Sequence, residues 1–128
     1  MNPSVLVSWG ELIDKVTILE IKQERLTSET ALANVRHELA QLSGLAQQAA
    51  SLHPEIARLK SELKNVNERL WQIEDEIRDK EAAKSFDAEF IRLARAVYHN
   101  NDARGRLKQE INILLKSSIT EEKQYSRY

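Results

Sequence analysis

The sequence predicts an all-α protein, built as an antiparallel helical hairpin or bundle of three to five helices with heptad-like packing. The chain has only 3 glycines and 2 prolines in 128 residues, which leaves few helix breaks. Its aromatic content is 5%, and no stretch alternates apolar and polar residues as a strand would. Apolar residues instead recur three and four positions apart over long stretches, as they do on one face of a helix.

Length and composition predict one domain over residues 1–128, since a chain of this size can bury its own core. The 41% hydrophobic and 30% charged residues are typical of a soluble helical protein. With 19 basic and 20 acidic residues, the chain lacks the basic excess of a general nucleic-acid binder. It has no cysteine for a disulfide, a thiolate zinc site or a catalytic thiol, which fits the cytoplasm. Its apolar runs are too short to span a membrane.

The first helix is predicted from Ser8 to about Leu26, after an extended arm at residues 1–7. Ser8 and Glu11 have the spacing of a capping box, in which the hydroxyl accepts from the Glu11 amide and the carboxylate reaches back. The apolar residues of this helix lie on two sides: Leu12, Ile13, Val16 and Leu19 on one, Ile18 and Ile21 on the other. A helix that is apolar on two sides is usually central or lies at an interface.

The second and third helices form the predicted antiparallel hairpin. Thr27 and Ser28 can cap the second helix, and His53-Pro54 ends it and opens the third, which runs to about Ala83. Each carries a long apolar stripe: Leu32, Val35, Leu39, Leu42, Ala46 and Ala49 on the second, and Ile56, Leu59, Leu63, Val66, Leu70, Ile73 and Ile77 on the third. Two heptad-like helices joined by a short turn predict antiparallel packing.

The fourth helical segment is predicted to begin at Asp87, which is a good N-cap residue. Its inward-facing residues are predicted to be Phe86, Phe90, Leu93 and Val97, followed by Leu107, Ile111, Leu114 and Leu115. Asn100, Asn101 and Asp102 are poor helix formers, so the segment 87–118 is either one helix or two. Residues 117–128 form a polar tail.

Polar side chains run along the edges of the apolar stripes on three of the helices. We call this set the polar seam: Asp14, Lys22 and Arg25 from the first helix, Asn67, Trp71, Glu74 and Arg78 from the third, and Asn101, Arg104, Lys108 and Asn112 from the fourth. Arg and Lys beside Asn and Trp suit an anionic ligand with a flat ring or a sugar. Because buried polar groups need partners, the alternative is that they pair with one another. Glu74 would then pair with Arg78, and Asp14 with a base on a neighbouring helix, to fix the helix register.

No residue pattern points to a catalytic centre, a metal site or a cofactor. The three histidines, His37, His53 and His99, are far apart and lack a second ligand at metal spacing. The chain contains neither a glycine-rich phosphate loop nor a GxSxG elbow. The sequence therefore predicts no catalytic residue, no metal and no cofactor, and leans away from an enzyme.

Self-association is predicted, most simply as a dimer. Ile18, Ile21 and Trp71 need cover that one hairpin cannot provide. The sequence therefore predicts a homo-oligomer, whose polar seam takes a protein partner or an anionic small molecule. It predicts neither nucleic acid as a partner nor a membrane span.

Over nearly its whole length the chain resembles an uncharacterised family of small all-helical bacterial proteins. The resemblance rests first on the run Ser8-Trp9-Gly10-Glu11-Leu12-Ile13-Asp14-Lys15 and on Thr17-Ile18-Leu19-Glu20-Ile21-Lys22. Further matches are Asn34-Val35-Arg36, Val66-Asn67-Glu68, Leu70-Trp71, Ile73-Glu74-Asp75, Ala94-Arg95, Val97-Tyr98, Asn101-Asp102, Ile111-Asn112 and Glu121-Glu122-Lys123. The resemblance implies no established activity, only a loose association with gene neighbourhoods for cell-surface polysaccharide and glycosyltransferases.

Two functional hypotheses follow. The first is a non-enzymatic helical binding or scaffold protein, linked through its resemblance to cell-surface polysaccharide biosynthesis. The second is a small all-helical enzyme or sensor that binds an anionic metabolite such as a sugar nucleotide. A dry, pairwise-satisfied seam would favour the first, and an open pocket with convergent Arg and Lys the second.

A fainter resemblance, to small all-helical chorismate mutases, belongs to the second hypothesis. Those enzymes hold a dianionic substrate with Arg and Lys from several helices, and the similar residues here are Asp14-Lys15, Leu19, Arg25 and Arg36. Thr27-Ser28 favours a helix end inside that span, and the carboxylate and glutamine that should follow cannot be placed on this sequence.

Overall fold

The computed structural model describes all of residues 1–128 and contains four helices and no strand. They are α1 (Trp9–Arg25), α2 (Glu29–Leu52), α3 (Ile56–Ala82) and α4 (Ala88–Leu114). The segment left open in the sequence is one continuous helix through Asn100, Asn101 and Asp102. Only a few residues connect one helix to the next, so each helix reverses the direction of the one before it.

Side-chain caps start three of the helices at the residues that the sequence indicates. The Ser8 hydroxyl accepts from the Glu11 amide at 3.1 Å, and the Ser28 hydroxyl caps α2 in the same way. The Asp87 carboxylate accepts from the Phe90 amide at 2.9 Å. The capping box of α1 is only half formed, because the Glu11 carboxylate accepts from Lys108 on α4 instead of from Ser8.

Helix α1 is the centre of the bundle and packs against all three other helices. The most extensive contacts join α3 to α4 and α1 to α2, whereas α2 and α3 meet over a small area. The core draws on every helix, and its central cluster includes these fully buried residues: Ile13, Val16, Ala49, Ile56, Leu59, Leu63 and Ile111. The apolar stripes of α2 and α3, the two helices of the predicted hairpin, are therefore buried. They pack mostly against α1 and α4 and only over a small area against each other.

The two apolar sides of α1 are covered within a single chain. Ile21 is 1% exposed and Ile18 is half-buried, because α3 packs against the side of α1 that carries them. This arrangement matches the central helix that a two-sided apolar pattern indicates. Because the single chain covers both sides of α1, these apolar residues no longer argue for an oligomer. Self-association remains a prediction.

One predicted inward residue is on the surface. Phe86 is 58% exposed, because it lies in the turn between α3 and α4, outside both helices. Its ring packs edge-on against that of Phe90, with centroids 5.2 Å apart. Leu93, one turn further into α4, is fully buried as predicted.

Both ends of the chain lie outside the helices. Residues 1–7, for which the sequence predicts an extended arm, are exposed and belong to no helix. Residues 115–128, which we call the C-terminal strap, turn back along α4, where Glu121 meets Lys108 and the Tyr128 hydroxyl donates to Asp102. The four helices are all too short or too polar to cross a membrane.

Two helix glycines give opposite predictions for the same substitution. A Cβ at Gly10 would lie 2.4 Å from the Lys108 carbonyl oxygen, so Gly10→Ala must push α1 and α4 apart. We expect it to lower the free energy of unfolding by about 1–3 kcal/mol, as overpacking does. A Cβ at Gly44 meets nothing within 4 Å. Gly44→Ala should therefore raise stability by about 0.5–1 kcal/mol, since alanine is the better helix former.

Urea unfolding of both variants measures these changes. Equal effects of the two substitutions would contradict the close α1–α4 approach at Gly10.

Candidate functional site

A buried carboxylate, Asp14 on α1, is the centre of the polar seam. Its side chain is 1% exposed and accepts three hydrogen bonds. Two come from the Arg104 guanidinium on α4, from Nε at 2.9 Å and from Nη2 at 2.5 Å, in a bidentate pair. The third comes from Asn67 Nδ2 on α3, also at 2.9 Å. The carboxylate therefore joins three helices at one point.

Thr17 completes this cluster from one turn further along α1. Its hydroxyl donates to the Asp14 carbonyl oxygen at 2.7 Å and accepts from Asn67 Nδ2 at 2.9 Å. Both amide protons of Asn67 are thus used, one on Asp14 and one on Thr17. The hydrogen bond to Asp14 raises the pKa of Arg104 above its ordinary value, which burial partly opposes. Arg104 and Asp14 together form a neutral, paired unit.

A second charged group lies one turn away along α4, towards the N-terminus of α1. The Lys108 side chain is 8% exposed, and its ammonium donates to Glu11 on α1 and to Glu121 of the strap, each at 2.7 Å. Burial acts against the charge of Lys108, but the two carboxylates outweigh it and raise its pKa. The same contact lowers the pKa of Glu121. Both carboxylates are almost half exposed, at 44% and 47%.

The N-terminus of α1 is closed by side chains from the end of α4 and the strap. The Gly10 amide donates to Asn112 Oδ1 at 2.6 Å, and the Trp9 amide donates to the Ser117 hydroxyl at 2.9 Å. With Ser8 holding the Glu11 amide, these first amides already have acceptors. A helix N-terminus with free amides would attract an anion, but this one uses them in the fold.

A small cleft opens beside the Asp14 cluster, between α1, α3 and α4. It has a volume of about 230 Å³, and we call it the Trp71 cleft. Its lining combines apolar side chains with polar residues of the predicted seam: Ile18, Ile21, Leu70 and Trp71 with Asn67, Glu74, Asn101 and Arg104. Five of the predicted site residues therefore meet at one place.

Five predicted site residues lie outside both the Asp14 cluster and the Trp71 cleft. Lys108 and Asn112 lie at the N-terminus of α1, as described above, and three others lie apart from all of these contacts. Arg78 is 71% exposed and pairs with Glu74 one turn earlier on the same helix, as the alternative interpretation expected. Arg25 is exposed in the last turn of α1, and Lys22 is half-buried and belongs to no ion pair. The seam is therefore shorter than predicted and contains fewer free cations.

Four residues that hydrogen-bond to the polar seam were not among the predicted site residues. Thr17 could have been found, because a hydroxyl three residues after Asp14 lies on the same helix face. Glu11 was considered only as part of a cap. Ser117 and Glu121 belong to the strap, and no local pattern indicates where an irregular tail will dock.

The described residues contain no cluster of three His, Asp or Glu side chains that could hold a metal ion. The buried part of the polar seam consists of ion pairs and of the amide side chains of Asn67 and Asn112.

Comparisons with known proteins identify a family but no activity. A family model described as "Family of unknown function (DUF6165)" matches residues 3–128. Searches of curated proteins and of solved structures found no significant match.

Proposed function

The chain belongs to the DUF6165 family, a family of unknown function, and from its seam we propose that it is a non-enzymatic helical binding or scaffold protein. The observation that carries the proposal is the pairing of the buried charges. Arg104 is bound to Asp14, and Lys108 to Glu11 and Glu121. A general acid or base must exchange a proton with a substrate, so groups locked in ion pairs favour a structural role for the seam.

The alternative, an enzyme or sensor for an anionic metabolite, has one observation in its favour. One of the two carboxylates on Lys108 comes from the strap, which is irregular chain and could be displaced. A cavity of about 310 Å³ lies there, lined by Lys108, Asn112, Glu121 and Lys123 among others. An anion replacing Glu121 would keep Lys108 paired.

Melting temperatures in inorganic phosphate and in uridine diphosphate distinguish the two functions. For a binding or scaffold protein, we expect the wild type, Lys108→Met and the control Lys60→Met to respond equally to these anions. Lys60 is a matched control because it also pairs with a glutamate of α1, Glu20, but lies outside the seam. Glu121→Gln should leave the response unchanged as well.

The opposite result would replace the proposal with the alternative. In that result the anions raise the melting temperature of the wild type, and Lys108→Met abolishes the rise. Glu121→Gln enlarges the rise, because it removes the carboxylate that competes with the anion for Lys108. A ligand at a hundredfold excess over its Kd adds about 2.7 kcal/mol of stability, so a rise of that size is easily measured.

Self-association remains part of the proposal, and so do a cytoplasmic location, a bacterial origin and the link to cell-surface polysaccharide. Exposed apolar side chains at the α3–α4 turn, Phe86 and Ile91, offer a surface for a second copy. Sedimentation equilibrium of the wild type and of Phe86→Ser measures the contribution of this surface.

The polysaccharide link rests on the family resemblance alone.

A further inference from the structure

We infer that the Trp71 cleft binds a single uncharged saccharide ring. The inference rests on the proposed binding function and adds the chemical class of a ligand. It uses residues of the cleft that the Asp14 cluster leaves with unused hydrogen-bonding capacity.

The first of these residues is Asn67. Its side chain is nine-tenths buried, with the residue 6% exposed, and it lines the cleft. Both protons of Nδ2 are donated within the chain, whereas Oδ1 accepts no hydrogen bond and is open to solvent. The orientation of the amide follows from chemistry, because an ionised Asp14 can only accept. A side-chain carbonyl oxygen that has no partner within the chain, and that opens to solvent from an otherwise buried residue, can accept a hydrogen bond from a ligand hydroxyl.

The second residue is Arg104, which supplies a donor beside that acceptor. Its Nε and Nη2 atoms bind Asp14, but Nη1 makes no hydrogen bond within the chain. The Arg104 side chain is 28% exposed and also lines the cleft. A hydroxyl group can accept from Arg104 Nη1 while it donates to Asn67 Oδ1, which neither a carboxylate nor an ammonium group can do.

The charges of the cleft favour a neutral ligand. Arg104 is offset by Asp14, and Glu74 by Arg78, so no net charge remains to attract an ion. The rest of the lining is apolar, with Trp71 beside Ile18, Ile21 and Leu70. An indole ring offers a negative face to the C–H bonds of a sugar, and polar groups at the edge fix its orientation. At about 230 Å³ the cleft has room for one sugar ring.

Nitrogen-15 NMR of the full chain tests the inference. The protein has two tryptophans, so it gives two indole N–H signals, and Trp71→Phe assigns them. We expect methyl glucoside, methyl galactoside or N-acetylglucosamine to shift the Trp71 signal in a saturable way, with a Kd on the order of millimolar for so small a ligand. The Trp9 signal should not move. A trisaccharide that binds more tightly would assign the end of a glycan as the ligand, and equal affinity would assign a free sugar.

Neighbouring asparagines on α4 provide a matched pair of variants. Asn101 lines the cleft, whereas Asn100 is bound to Arg69 and to the Ala96 carbonyl. Asn101→Ala should weaken saccharide binding by about fivefold to tenfold, and Asn100→Ala should leave it unchanged. If no sugar shifts the Trp71 signal, if the shift persists in Asn101→Ala, or if uridine shifts the signal in place of sugars, the inference is overturned. These outcomes leave the anion test of Lys108 untouched, so the two proposals fail separately.

Discussion

Arg104→Met is expected to lower the free energy of unfolding by about 3 kcal/mol, because it leaves the buried Asp14 carboxylate with one hydrogen-bond donor in place of three. Asp14 is 1% exposed, and Arg104 supplies two of its hydrogen bonds. Removing one partner of a buried ion pair typically costs about 3–5 kcal/mol. The lower end applies here because the arginine side chain is 28% exposed and some solvent reaches it. Urea unfolding monitored by circular dichroism measures the loss.

The same substitution at the surface is the control. Arg78 is 71% exposed and pairs only with Glu74, so Arg78→Met should change stability by less than about 1 kcal/mol. Asp14→Leu combined with Arg104→Met removes both charges and should recover much of the loss, since apolar replacement of a whole buried pair is often neutral. If Arg104→Met were no more harmful than Arg78→Met, the Asp14 pair would not hold the bundle together.

Leu63→Ala is expected to cost about 2–5 kcal/mol, the usual result of opening a cavity in a packed core. Leu63 is 0% exposed and lies in the cluster to which all four helices contribute. Its surroundings come from several elements and cannot all close in around the missing atoms. Guanidinium unfolding gives the change.

Leu45→Ala is the matched control, because Leu45 is also helical but 45% exposed. We expect a change of about 0.5 kcal/mol or less there. Leu70, predicted to lie in the core, is 9% exposed, and Leu70→Ala should fall at the lower end of the range for Leu63. Similar values for Leu45 and Leu63 would mean that the register of α3 or α2 is wrong.

The helices could be predicted closely because their signals are local. Ser8, Ser28 and Asp87 act as caps, and each accepts from the amide three residues later. The buried faces follow from spacing of three and four, which depends only on the geometry of the helix. The sequence also indicated that Asp14 would pair with a base on another helix, since a buried carboxylate needs one.

Which base it pairs with could not be predicted, because that depends on how α1 crosses α4. The two helices approach most closely where Gly10 faces the Lys108 carbonyl oxygen. A glycine within a helix does not indicate by itself which other helix packs against it. Arg25, Arg78 and Arg104 were equivalent by spacing alone, yet only Arg104 lies where α1 and α4 meet. The return of the strap to Lys108 is likewise a tertiary contact without a local pattern.

The closure of α1 by the end of α4 has a consequence for synthesis of the chain. The Gly10–Asn112 and Trp9–Ser117 hydrogen bonds join residues 102 and 108 positions apart. When α1 leaves the ribosome, only α2 can follow soon enough to cover one of its sides. The face that carries Ile13 and Thr17 must wait for α3 and α4, which are made last. The bundle therefore completes its folding only after nearly the whole chain has emerged, and until then it exposes a nascent apolar helix to chaperones.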